Sequence, residues 1–168
     1  MRGGALGLAY RAQSQSVSLS SLSFQHTLAT VTTAGLPLIF PGIATSGIVS
    51  QLVEVTKDTG CPLVILGPYY GLLAELLFVL EKDPHVYMDT GWQITPTAIK
   101  LMVEHAGPDR ILFGSGAPIR PIQPVLNTVL DADVDIETKR KILSTTALRL
   151  FGRGEQADDV ERQRFDLP

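Results

Sequence analysis

Five short apolar runs recur along the chain at a nearly constant interval, at residues 5–10, 36–40, 63–66, 86–89 and 111–115. Their starts lie 31, 27, 23 and 25 residues apart, which is the room needed by a strand, a loop, a helix and a second loop. Runs of this length without polar alternation belong to strands covered on both faces, as in a parallel sheet packed between helices. The interval therefore predicts repeated βα units.

The intervening segments carry helix start and stop signals. A helix over 22–33 ends before Gly35, and one over 46–59 begins at the cap candidate Ser46 and ends at Gly60. A helix over 70–82 is stopped by Pro84. Thr95 followed by Pro96 is a cap with proline at the first helical position, and Gly107-Pro108 ends that helix. A pattern over 121–130 precedes Asp135, which caps a last helix running to Phe151. Residues 153–168 hold five acids and three arginines and read as a polar tail, leaving 1–152 as one domain.

Composition narrows the function classes. Hydrophobic residues make up 45% of the chain and charged residues 18%, where about 25% charged is usual. Disordered chains, coiled coils and polyanion-binding modules are thereby excluded. The net charge of -3 and pI near 5.5 give no pull toward nucleic acid or an anionic membrane. One cysteine, Cys61, excludes a disulfide framework and a cysteine-based zinc site. Residues 1–53 carry only Arg2 and Arg11 as formal charges and are serine-rich over 14–23. Two arginines fall short of a transit peptide, and the segment flows into strand and helix patterns. Residues 61–80 are long enough to span a bilayer, but Gly67-Pro68 and Gly71 break the run, so a strand followed by a buried helix is expected. The chain reads as soluble and cytoplasmic.

Five parallel strands suit either an open doubly wound sheet or part of a (β/α)8 barrel. A complete barrel needs at least about 200 residues, more than the 168 present. The glycines at 3, 4 and 7 lie before or inside the first strand, so they form no dinucleotide fingerprint, and no Walker A motif occurs.

Two segments decide between these architectures. The run Asp83-Pro84-His85-Val86-Tyr87-Met88-Asp89-Thr90-Gly91, followed by Gly107-Pro108-Asp109-Arg110-Ile111-Leu112-Phe113-Gly114-Ser115-Gly116-Ala117-Pro118, resembles the last two strands of the amidohydrolase-related family. Leu36 to Phe40, Pro62 to Leu66 and Ile142 to Gly152 extend the likeness over about residues 36–152, with Asp-Arg-Ile-Leu-Phe-Gly-Ser as its most specific element. The resemblance implies an α/β fold, a partial TIM-like (β/α)8 barrel whose five parallel strands correspond to the family's strands four to eight. It also implies descent from metal-dependent hydrolases and decarboxylases.

The family's chemistry uses a divalent metal that acidifies a bound water and polarises a carbonyl. Its ligands are a His-x-His pair on the first strand, histidines after the fifth and sixth, and an aspartate after the eighth. On this likeness the first strand is absent, while Pro41, Pro68 and Gly116 stand at the other ligand positions. No metal and no cofactor is expected. His26 and His105 lie on predicted helices and His85 precedes its strand, away from the barrel's catalytic end.

The remaining candidates sit where strands end. Asp89 closes an apolar strand, where it either serves function or accepts amides of the Thr90-Gly91 loop. Ser115 follows a strand but lacks the G-x-S-x-G elbow, so a turn-capping hydroxyl competes with a nucleophile. Arg11 and Arg120 follow strands and suit a carboxylate, against the ordinary reading of a solvated arginine. Tyr69, Tyr70 and Trp92 either wall a pocket or pack. Arg11, Tyr69, Asp89, Ser115 and Arg120 are the expected lining of a small-carboxylate site that binds without turnover. The alternatives are a non-catalytic assembly module and a truncated hydrolase gene product. Because five strands leave the sheet open, self-association or a partner chain at its edges is expected.

Overall fold

A computed structural model describes residues 7–10, 18–42 and 47–152. Arg11 and the tail 153–168 lie outside the described residues. Five parallel strands form one sheet in sequence order: β1 (Leu8–Ala9), β2 (Leu38–Pro41), β3 (Leu63–Leu66), β4 (Val86–Asp89) and β5 (Ile111–Leu112). Helices α1 (Leu22–Ala34), α2 (Ile48–Thr56), α3 (Leu73–Lys82) and α4 (Pro96–Ala106) fill the crossovers, so each unit is strand, loop, helix. Beyond β5 come α5 (Ile122–Leu130), α6 (Ile136–Arg140) and α7 (Thr146–Phe151).

One face of the sheet makes the core. Leu38, Phe40, Leu63, Ile65, Val86, Met88 and Ile111 alternate onto it and pack in one cluster with helix residues such as Phe24, Leu52, Leu76, Ile99 and Ile142. The intervening strand residues point the other way, where a barrel keeps its interior. Ile39, Val64 and Tyr87 share one register row there. In the next row Pro41 pairs with Leu66, and Asp89 pairs with Leu112. Asp89 therefore belongs to the inner face, at the end where the strands finish.

Three elements differ from the sequence expectation for physical reasons. The last strand stops at Leu112 instead of 115, because the Gly114 amide leaves the ladder and donates to Thr90 Oγ1 at 3.2 Å. The expected cap Ser46 lies outside the described residues, and helix α2 is described from Ile48 with Gly47 before it, which has no side chain to offer. Glu75 of α3 supplies the acceptor from across the helix layer, taking the Gly47 amide at 3.1 Å and the Ser50 hydroxyl at 2.8 Å. The single helix expected over 135–151 is interrupted by a π turn, Lys141–Thr145, between α6 and α7. Asp135, Thr95 and Ser21 cap their helices as their residue types require, each accepting an amide three residues on.

Candidate functional site at the strand ends

The loops after β3, β4 and β5 converge on Asp89. Its Oδ1 accepts the Gly67 amide at 2.7 Å and the Gly91 amide at 3.1 Å, so one carboxylate oxygen ties two loops together. A Cβ on Gly114 would collide with Oδ2, so only glycine lets the third loop close over this side chain. The result is a carboxylate only 7% exposed at the open end of a sheet. Burial pushes its pKa up, against the two amides and the positive charge of Arg120, which draw it down. Thr90, fully buried beside it, receives the Gly114 amide and donates its own to Leu112.

Arg120 lies against Trp92, its guanidinium carbon 4.2 Å from the ring centroid. Trp92 in turn fills the space beside Gly67, whose φ of +60° suits glycine and where a Cβ would lie 2.9 Å from the indole Cδ1. Arg120 Nε and Nη2 are buried without a hydrogen-bond partner among the described residues. These two N–H groups form one edge of the guanidinium, the edge that grips a carboxylate with two parallel bonds. Gly116 stands against it, with its missing Cβ position 3.1 Å from Nε and 3.4 Å from Nη2.

The expected lining residues are only partly gathered. Asp89 and Arg120 share one site. Ser115 caps its own turn, accepting the Ala117 amide at 3.2 Å, and no histidine partners it among the described hydrogen bonds. Tyr69 is 55% exposed, with its ring folded over Gly71 and not over Asp89. Trp92, weighed in the sequence as a pocket wall or as packing, packs against Gly67 and under the Arg120 guanidinium. Gln93 was not legible at all: it is 2% exposed, reaches the Pro68 carbonyl at 3.5 Å, and has no partner for Oε1 among the described residues. A lone glutamine between Trp92 and Ile94 gives no sequence signal of which side chains of the loop turn inward.

The model for the family described as amidohydrolase matches residues 55–153, more than half of the chain. The chain belongs to the amidohydrolase family. A 6-methylsalicylic acid decarboxylase from Penicillium expansum is 39% identical over 86 residues, which are 49% of this chain and 26% of that protein. Among solved structures, a Pseudomonas putida protein assigned as 2-pyrone-4,6-dicarboxylic acid hydrolase superposes with a TM-score of 0.68 at 20% identity, over 89% of this chain and 64% of its own. The 5-carboxyvanillate decarboxylase of Sphingomonas paucimobilis gives 0.62 at 14% identity, over 87% and 58%. The chain thus spans about a quarter of the curated relative and about three fifths of these structures. Their likeness establishes the fold, part of a TIM-like barrel. No described helix is long and apolar enough to cross a membrane.

The metal chemistry associated with amidohydrolases does not fit the donors described at this end. Pro41 closes β2, Pro68 follows β3 and Gly116 follows β5, and none carries a ligating side chain. The carboxylate that is present, Asp89, already spends Oδ1 on two amides. Among the described residues no three His, Cys, Asp or Glu side chains converge.

Proposed function

We propose that this member of the amidohydrolase family binds a small aromatic carboxylate at the strand ends and does not turn it over. The observation that carries the reading is the edge of Arg120, two buried N–H donors without partners on a permanently charged group. Leaving such donors unpaired is costly, and one carboxylate satisfies both. Trp92 lies against the guanidinium and the Gly116 backbone lies beside that edge, and the aromatic character of the ligand is taken from the likeness to 6-methylsalicylic acid decarboxylase. Asp89 is committed to loop amides and orients the site without supplying a base. The described strand ends gather no set of metal-ligating side chains that would hold an electrophile against the bound carboxylate, which supports binding without turnover.

A second reading, that these loops form part of a decarboxylase site, draws on the 39% identity to 6-methylsalicylic acid decarboxylase. Calorimetric titration with benzoate and 6-methylsalicylate, with carbon dioxide release followed in parallel, separates the two. Binding without gas release is expected. Arg120→Ala should weaken binding about 10- to 100-fold, the worth of one or two charge-assisted hydrogen bonds. Retained affinity in that variant overturns the placement, and carbon dioxide release by the wild type overturns the claim of no turnover.

A further inference from the structure

We infer that Trp92 is a positioning residue for the carboxylate-binding group, holding Arg120 over its π face so that the unpartnered guanidinium edge stays aimed and dry. The inference rests on the carboxylate reading of Arg120 and adds the part that makes the arginine competent. An arginine on an exposed loop ordinarily loses much conformational entropy when it binds a ligand. Here that freedom is already restricted. The guanidinium carbon is 4.2 Å from the ring centroid, and the arginine amide donates to the Gly116 carbonyl at 3.1 Å. Head and backbone are therefore both fixed before a ligand arrives, and preorganisation of this kind converts directly into affinity.

The indole is itself held by a neighbour chosen for size. Gly67 leaves no Cβ where Trp92 Cδ1 and Nε1 pass, at 2.9 and 3.0 Å from that position, and the same Gly67 donates its amide to Asp89. The chain of constraint runs from Asp89 to Gly67, to Trp92, to Arg120, and it crosses three loops. Neither the charge of Arg120 nor the chemistry of a carboxylate requires a tryptophan at position 92. The contact geometry does, because only an aromatic face attracts the cation while leaving its N–H edge free. A carboxylate side chain in that place would consume the edge, and an aliphatic one would let it swing.

The test uses the fact that the chain has one tryptophan. Benzoate binding to Arg120 should change the emission of Trp92, whose ring centroid lies 4.2 Å from the guanidinium carbon. Benzoate affinity is then measured by calorimetry for Trp92→Leu, Trp92→Tyr and the wild type, with thermal unfolding as a check on the fold. Because Trp92 is 43% exposed, both variants are expected to unfold near the wild-type temperature. Trp92→Leu should bind about 5- to 20-fold more weakly, the value of a partly desolvated cation–π contact, and Trp92→Tyr should recover most of the loss. Equal affinity in Trp92→Leu, or no recovery in Trp92→Tyr, overturns the positioning role while the carboxylate reading stands. Failure of the wild type to bind benzoate or 6-methylsalicylate overturns both.

Discussion

At the scale of single residues, Asp89 answers two demands that pull against each other. It must be near enough to the interior to gather the amides of Gly67 and Gly91, and that burial penalises its charge. Asp89→Ala removes the acceptor and leaves two donors to find water. The expected cost is about 2–4 kcal/mol in urea unfolding, since each orphaned amide is worth about 1–3 kcal/mol. Asp89→Asn keeps an acceptor oxygen in the same place and should be far milder. Its difference from the wild type should also depend on pH in a defined direction. A carboxyl whose folded pKa is raised lends stability below its unfolded value, near 4, and that stability is lost as pH rises through the folded value. The asparagine variant has no such loss, so it should gain on the wild type between about pH 4 and neutrality. A difference that stays flat across that range would show that Asp89 titrates as an ordinary surface carboxylate. The position of Asp89 was legible, because an aspartate closing an apolar strand stands out. What it holds was not, since the partner Gly67 lies on another loop, 22 residues earlier.

At the scale of elements, the family-like run around Asp109 and Arg110 is explained by packing at the opposite end of the sheet. Arg110 Nε donates to the Ala106 carbonyl at 3.1 Å, Nη1 to Asp83 at 3.0 Å and Nη2 to Leu80 at 2.6 Å. One guanidinium thus collects the open carbonyls at the ends of α3 and α4, which helix geometry leaves unpaired. Asp109 beside it accepts Lys141 at 3.1 Å and Arg149 at 2.9 Å, fastening the final helical segment below β5. Arg110→Ala is expected to destabilise by about 2–4 kcal/mol, because the lost bonds are charge-assisted and partly buried. Arg110→Lys should recover less than half, since a single ammonium cannot span two helix ends. Full stability in either variant, read from urea midpoints, would refute this anchoring role. Helix positions were legible wherever a local signal existed, as at Thr95-Pro96 and Asp135. The start of α2 was not, because its acceptor, Glu75, comes from a different helix. Nor was the π turn at Lys141–Thr145, which periodicity over 135–151 reads as one continuous helix.

For the whole molecule, the order β1 to β5 leaves two edges, and both edge strands are only two residues long among the described residues. The inner face they border is apolar in its middle row, where Val64 is fully buried and Ile39 and Tyr87 on either side are half-buried. The relatives with this fold are longer chains, and this one spans 58% to 64% of the two compared above. The sequence interval made the parallel strands readable, because each unit returns the chain to the same end, whereas the sequential order β1 to β5 followed only from the family likeness, since a doubly wound sheet fits the same interval. Whether the sheet closes depends on strands that no local pattern in these 168 residues supplies. Such an open sheet leaves unpaired backbone at both edges, while Ile39 and Tyr87 leave apolar surface half-covered on the inner face, and both features recruit further chain. The 168-residue polypeptide is therefore expected to self-associate at about tens of micromolar, the range where exposed edges and faces meet partners. Sedimentation velocity should show species larger than a monomer that dissociate on dilution. Ile39→Lys, which sets a charge in the middle of the inner face while leaving the helix-facing core intact, should shift the population toward monomer. If the inner face is the contact, Glu104→Ala on the exposed side of α4 should leave the distribution unchanged. A wild-type chain that stays monomeric across that concentration range would mean that the face is covered from within, and an Ile39→Lys variant that associates as the wild type does would move the contact to the edges alone.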